Sequence, residues 1–466
     1  MPRRLLALLL LTLCAPGLAL ATAAPRTATT AQRQTANNPH YTLNMMVNPA
    51  KGLLTGSMTL RFRNPSGAAL KDVVVRLYPN FPRDIFGDGG DVTASVSNVR
   101  VGGVAAAFGY EAQRTVVRIT LPTAVAVGNE ATLALDWSAT VKPFAKTDDT
   151  LPFPSYYPQL AVWEKGWRAD VTRFPDHVYA QSATYDATIS VPAGWSVAAT
   201  GAVTELRSAG GQSITTISTT LVREFAWSVG KFSTAKATLG NITITVFYRT
   251  GSGLADAAQR IANHASASLA TFNARFGPYP YRNLNIHLVN AKRGFDIGGE
   301  FPGLIYLLLN GSYTAETRFV TAHEVAHQWF YNQVGSDIYR EPWLDESFAQ
   351  YSPLLVEEQW AGAAAVEQVY QANIARLAKR ATAPAGLGIT SYASWNAYYA
   401  AVYGKGAQFL VTLRRTLGDE AFFAGIQRYV RDNQHGIAQT SDARAAWEAA
   451  SGQDLRPLFK QWLGRE

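Results

Sequence analysis

The stretch Thr321-Ala-His-Glu-Val-Ala-His-Gln-Trp-Phe330 decides how this chain is read. Phe319, Val320, Ala322, Val325, Ala326, Trp329 and Phe330 spread apolar side chains so widely that the segment predicts a buried helix, with Gly335 as its stop. On that helix His323 and His327 leave one face about a turn apart, a separation that suits two ligands on one Zn²⁺. Glu324 lies about 100° round the axis, too far aside to join the pair but close enough to act as a base on a water held there. A catalytic zinc takes three protein ligands and keeps a position for water, so a third donor is required. Glu346, within Trp343-Leu-Asp-Glu-Ser-Phe-Ala-Gln-Tyr351, supplies it. The 18 residues between His327 and Glu346 leave room for a helix end, a turn and the start of another helix. The competing reading of Glu346 is a buried ion pair with Arg340.

His323-Glu324-x-x-His327, followed after 18 residues by Glu346, resembles the gluzincin zinc peptidases of the aminopeptidase N and leukotriene hydrolase type. Gly298-Gly299-Glu300-Phe301-Pro302 is similar to that family's Gly-x-Met-Glu-Asn/Tyr-Pro element, and Tyr403-Gly-Lys-Gly-Ala to its Tyr-x-Lys-Gly. Gly299 stands where Met is usual, Asp345 replaces the commoner Asn and Ser347 the commoner Gly; none removes a group the chemistry requires. The resemblance implies Glu324 and Tyr403 as catalytic residues, and His323, His327 and Glu346 as ligands of one catalytic Zn²⁺. It also implies that Glu300 anchors a free substrate α-ammonium, with the backbone at Gly298 and Gly299 aligning the peptide. Taken alone, Glu300 is a turn carboxylate and Tyr403 a core aromatic; the motif context assigns their roles. Tyr398 and Tyr399 are lesser candidates for substrate contact. Gln159, in Tyr156-Tyr-Pro-Gln-Leu-Ala-Val162, stands where family members send a Gln or Glu toward the substrate amine, an exposed loop amide being the competing reading.

Upstream of the motif the pattern is short and β-like. Tyr41–Val47, Gly56–Phe62, Val73–Tyr78, Val116–Leu121 and Ala131–Trp137 alternate apolar and polar residues. Ala183–Val191, Trp195–Thr200, Ser213–Leu221, Phe225–Phe232 and Ile242–Tyr248 continue the series. No useful helical period precedes about residue 253, so residues 38–250 predict an all-β saddle or sandwich. Leu77-Tyr-Pro-Asn80 and Val191–Gly201 resemble pieces of the family's N-terminal domain. Residues 251–466 then predict a thermolysin-like α+β domain: a helix over Leu254–Phe276, a strand over Leu284–Val289, an edge strand over Phe301–Leu309 bearing Pro302, and a helical stretch over Gly362–Ala381. Helices over Gln408–Leu417, Glu420–Asp432, Ser441–Ser451 and Leu455–Leu463 close the chain, which reads as a short family member with an open cleft.

Residues 1–23 join Arg3 and Arg4 to the apolar run Leu5–Leu13 and to small residues at 19–23, the pattern of a secretory signal. Residues 24–37 read as a disordered lead-in. The sole cysteine, Cys14, lies in the leader, where Leu13 argues against a lipoprotein signal. No later run is long enough to span a membrane. A formal charge of +8 with no basic run gives no footprint for nucleic acid. The expectation is an exported, monomeric zinc aminopeptidase acting on peptides with a free N-terminus. A thermolysin-like endopeptidase, or an exported β-rich binding protein with an inactive peptidase domain, are the alternatives. The other histidines, His40, His177, His264, His287 and His435, lack metal spacing and read as structural. The leukotriene-hydrolase reaction does not follow from these residues.

Overall fold

A computed structural model describes residues 38–81, 92–145, 148–172, 178–292 and 294–465. The expected leader and lead-in, Cys14 and His177 lie outside them.

The strand His40–Asn48 turns Tyr41, Leu43, Met45 and Val47 inward and Met46 and Asn48 outward, the period of two that one buried face imposes. It lies in an eight-stranded sheet ordered 202–209, 212–218, 184–192, 40–48, 53–63, 130–140, 94–101, 104–105. Register aligns the apolar rows: Leu43 faces Met58 on one neighbour and Ala187 on the other. Gly56 leaves room for the Trp137 ring, which a Cβ would approach to 2.5 Å. A four-stranded sheet (159–160, 70–76, 116–125, 108–111) and a three-stranded one (196–199, 226–230, 151–154) complete this β-rich half. All three sheets contribute to one core, around Trp137, Phe153, Tyr157 and Trp227.

The second half is built on a five-stranded sheet ordered 232–239, 242–249, 283–290, 304–309, 297–301. Two of its strands, 232–239 and 242–249, lie before the division expected at 250/251. Phe232–Leu239 is a further strand that is not among those expected, and alternation identifies Ile242–Tyr248 as a strand but does not say which sheet it joins. The crossover helix Ala255–Phe276 decides it, returning the chain so that Thr243 pairs in parallel with Asn283 and Tyr248 with Leu288. That helix buries Ala258, Ile261, Ala262, Ala265, Leu269, Phe272 and Phe276 along one face and stops at Gly277, φ 111°.

The expected edge strand over Phe301–Leu309 is instead two strands. Ile297–Phe301 forms the edge and Leu304–Leu309 lies inside it, joined by the two-residue turn Pro302-Gly303. Proline supplies its fixed φ at the first turn position and Gly303, φ 64°, the left-handed second one. Pro302 thus marks a turn, and Gly298, Gly299 and Glu300 move onto the exposed edge itself.

The closing helices Ala407–Leu417, Asp419–Asn433, Thr440–Ser451 and Arg456–Leu463 agree with the sequence to within a residue at each end. Arg168 joins the two halves, donating to Asp337 at 2.6 Å while also pairing with Glu164 and Asp170. Among the described residues no helix is long and apolar enough to cross a membrane.

Candidate active site

Thr314 opens the helix Ala315–Ala326 with a reciprocal cap to Thr317, and the apolar coverage predicted for it buries Ala322, Val325 and Ala326. The helix ends nine residues before Gly335, earlier than the sequence suggests. Gln328 and Trp329 turn back to the carbonyls of Val325 and Ala326, tightening the last turn, and Asn332 N–H then caps the His327 carbonyl at 3.0 Å. His327 occupies the C-cap with φ −61° and ψ −14°, still helical enough to keep it one turn from His323.

Glu346 sits in the first turn of the helix Trp343–Tyr351 and points at that pair. Its carboxylate lies 3.3 Å from His323 Nε2 and 3.6 Å from His327 Nε2, and the two Nε2 atoms are 3.1 Å apart. One ligand atom from each of the three lies within 4.8 Å of the others. The hydrogen-bond chemistry fixes what these atoms offer. His327 Nδ1 faces two acceptors, Asp345 Oδ1 at 2.6 Å and the Phe330 carbonyl at 3.0 Å, so it carries the proton and leaves Nε2 a lone pair. Glu346 Oε2 is buried with no hydrogen-bond partner among the described residues. Converging lone pairs and a carboxylate oxygen lacking a donor fit a Zn²⁺, and the competing Arg340 pairing is absent, since Arg340 pairs with Glu164 and Asp337 instead. Burial opposes ionising Glu346, but the two imidazoles outweigh it and hold the carboxyl well below its ordinary range.

Asp345 is a residue whose part sequence reasoning missed, noting it only as a departure from Asn. Burial raises its carboxyl to about 6 while the His327 bond opposes the rise. Its position beside Glu346, on the helix that faces His327, was the available signal.

Glu324 is buried beside this group, its Oε2 without a partner among the described residues. Burial pushes its carboxyl far above the ordinary range; His327 opposes this, and Glu300, Glu346 and Asp345 add to it. Gly298 is the residue that gives Glu324 its place, because a Cβ there would lie 1.9 Å from Glu324 Oε1. Gly298→Ala is therefore expected to displace the Glu324 carboxylate and cut turnover on the order of 10²-fold, with zinc content and unfolding temperature unchanged. Steady-state kinetics with metal analysis checks it.

Glu300 faces the same side of the edge strand as Gly298, two residues on, and offers a carboxylate oxygen within 4.8 Å of ligand atoms of Glu324 and His327. Burial raises its carboxyl to about 7; His327 opposes this, while Glu346 and Asp345 reinforce it. Gly299 alternates to the opposite face, opposite Tyr306.

Tyr403 lies in the middle of a π-helical segment, Ala400–Gly406, and its ring stacks on His323 with centroids 5.9 Å apart and planes 4° apart. Wide-turn segments of this kind often mark functional positions. The glycines of Tyr-Gly-Lys-Gly have a packing reason: a Cβ on Gly404 would meet Ala378 N at 2.6 Å, and one on Gly406 would meet Ser347 Oγ at 2.0 Å. Ser347 donates to the Val402 carbonyl at 2.7 Å, tying the segment to the helix that carries Glu346. Tyr399 packs on Tyr403 at 4.5 Å and is partly exposed, whereas Tyr398 is buried.

Gln159 is not an exposed loop amide. It is buried on the short strand Gln159–Leu160, donates from Nε2 to the Tyr157 hydroxyl at 3.1 Å, and leaves Oε1 unpartnered among the described residues. His287 is structural as expected, enclosed between Thr150 and Ser228 hydroxyls at 2.9 Å each.

Residues 269–462 match the Peptidase family M1 domain. The chain is 29% identical over 219 residues to Aminopeptidase 2, mitochondrial, of Saccharomyces cerevisiae, covering 44% of this chain and 23% of that protein. It is 32% identical over 175 residues to Aminopeptidase N of Lactococcus lactis subsp. lactis, covering 34% of this chain and 20% of that protein. The matched stretch thus spans about a quarter or less of those relatives' length. In fold, the chain is similar to an M1 zinc metallopeptidase from Deinococcus radiodurans, with a TM-score of 0.69 and 22% identity over 92% of this chain and 94% of that one. A structure of that enzyme bound to a Tyr-Ser-Ala substrate aligns equally well. Motif spacing and matched domain agree: residues 269–462 of this chain are similar to the Peptidase family M1 domain, and its fold is similar to that of an M1 zinc metallopeptidase.

Proposed function

We propose that this protein is a zinc-dependent aminopeptidase that removes the first residue from peptides with a free N-terminus. The observation that carries the reading is the Glu300 carboxylate, set on an exposed strand edge and within 4.8 Å of ligand atoms of Glu324 and His327. A carboxylate so close to the reacting bond pairs with an α-ammonium only when one residue lies between them. Ile297–Phe301 is the last strand of its sheet, and its outer edge suits the backbone of an extended peptide.

His323, His327 and Glu346 would hold the ion. When bound, Zn²⁺ supplies Lewis acidity toward the scissile carbonyl and lowers the pKa of a water beside it. Glu324 accepts a proton from that water and delivers it to the leaving amine, a role its raised proton affinity suits. The Tyr403 hydroxyl donates to the developing oxyanion, and Asp345 keeps His327 in the ligating tautomer. The proposal includes export through residues 1–23 and a monomeric enzyme.

The test is a pair of chromogenic amides, one aminoacyl and one N-acetylaminoacyl. Cleavage of the free-amine substrate is expected to exceed that of the acetylated one by at least about 10²-fold, a charge-assisted contact being lost and a buried carboxylate left unpaired. Chelator should abolish it. Equal cleavage of the two amides would replace this reading with an endopeptidase.

A further inference from the structure

Phe108, Phe295, Trp360 and Tyr399 are the exposed aromatic side chains among the described residues, and of these only Tyr399 has a ring contact that reaches the proposed reaction centre. It ends the short helix Trp395–Tyr399, just before the π-helical segment that carries Tyr403. Its ring packs on Tyr403 with centroids 4.5 Å apart, and Trp395 lies nearly parallel to it at 6.1 Å, planes 17° apart. Bracing Tyr403 does not account for this ring. Tyr398, wholly buried, already meets Tyr403 edge-on at 6.0 Å, and is itself held by Trp395 at 5.1 Å and Tyr392 at 5.5 Å. Tyr399 adds a second ring, fixed by two neighbours and 36% exposed, beside the hydroxyl that would meet the oxyanion.

The course of the cleft decides which part of a substrate reaches that ring. The strand Ile297–Phe301 and the helix Ala315–Ala326 run side by side in the same direction: Asp296 Oδ2 accepts from Thr317 Oγ1 at 2.5 Å, Gly298 abuts Glu324, and Glu300 reaches Glu324 and His327. From Asp296 to Glu300 an extended chain covers about 13 Å, and from Thr317 to His327 a helix covers about 15 Å, so the two keep pace. A peptide whose amine pairs with Glu300 is cleaved beside Glu324 and Gly298, and its remaining residues leave toward Asp296 and the start of the helix. Tyr399 lies on that side. The enclosure it retains raises its phenol, and Glu346 and then Glu316, in the first turn of the helix, add to the rise.

We propose that Tyr399 is a specificity residue for the second residue of the peptide, the one that follows the cleaved bond, and that it favours a large apolar or aromatic side chain there. This rests on the aminopeptidase reading, which places the amine at Glu300. The ring offers apolar area held in one orientation by Tyr403 and Trp395, so little freedom is lost when a side chain covers it. An aromatic side chain adds ring-to-ring contact to the area it buries.

The experiment measures kcat/KM for release of alanine from Ala-Xaa-Ala-Ala peptides, with phenylalanine, leucine, alanine or glycine as Xaa, by the wild type, Tyr399→Ala and Tyr399→Phe. The wild type is expected to favour phenylalanine over glycine by roughly tenfold or more, Tyr399→Phe to keep that ratio, and Tyr399→Ala to bring it within about twofold. Displacement of Tyr403 in the alanine variant slows all the peptides alike and leaves the ratio standing, so the ratio is the readout. No wild-type preference, or one that survives Tyr399→Ala, overturns the proposal. Should the alanine variant not fold, Tyr399→Gln, which keeps bulk but no ring, is read by the same ratio. If N-acetylated peptides are cleaved as fast as the free ones, the aminopeptidase reading fails, while the same ratio at the residue after the cleaved bond still tests Tyr399. If none is cleaved, that reading fails as well and calorimetry decides: tighter binding of the phenylalanyl than the glycyl peptide, lost in Tyr399→Ala, upholds the contact, and equal binding ends it.

Discussion

Glu324→Gln is expected to slow turnover by about 10²- to 10⁴-fold while zinc content, fold and substrate affinity are retained. The amide keeps the volume of the carboxylate, so the tight contact with Gly298 survives. It lacks only the basic oxygen. Because Glu324 carries no ligand to the ion in the group formed by His323, His327 and Glu346, metal content should not fall. That separates this variant from His327→Ala, which removes both a proposed ligand and the partner of Asp345. The amide also adds no charge at this buried position. The variant is accordingly expected to unfold at the same temperature as the wild type or slightly above it. Single-turnover kinetics beside metal analysis and thermal unfolding checks all three statements; undiminished turnover with zinc in place removes Glu324 from the role of base.

Most of this site is legible in the sequence because its residues carry their chemistry in their spacing. His323 and His327 are one helical turn apart whatever surrounds them, and Glu346 follows at a distance only a helix end and a turn can fill. The amphipathic helices near the C-terminus are equally readable, since a 3.6-residue period needs no knowledge of the partner. What the sequence conceals depends on partners far along the chain. Ile242–Tyr248 reads as one more strand of a β domain until Asn283–Asn290 arrives beside it and assigns it to another sheet. Pro302 suggests an edge strand because proline cannot donate to a ladder. The turn with Gly303 explains it as well, and that turn is what sets Glu300 on the edge.

Tyr403→Phe provides the second large expected effect, and it tests a different part of the geometry. The phenol is positioned by its surroundings: its ring stacks on His323 at 5.9 Å, Tyr399 packs against it at 4.5 Å, and Ala400–Gly406 is locked by Ser347 and by the close approach of Gly404 to Ala378. Phenylalanine keeps every one of those ring contacts, so fold, zinc content and KM should change little. Only the donor is lost. One preorganised donor to an oxyanion contributes about 3 kcal/mol, which predicts that turnover falls by about 10²- to 10³-fold with KM nearly constant. The split between kcat and KM is the informative readout. A contact made equally to substrate and transition state would raise KM and leave kcat alone, whereas a donor engaged only as the carbonyl oxygen becomes negative lowers kcat. A transition-state mimic such as an aminoacyl phosphonate should lose affinity for the variant by the same factor as kcat, while a product amino acid should bind both proteins alike. If the phosphonate binds both equally and kcat holds, Tyr403 is a packing residue and the oxyanion must be met by another group.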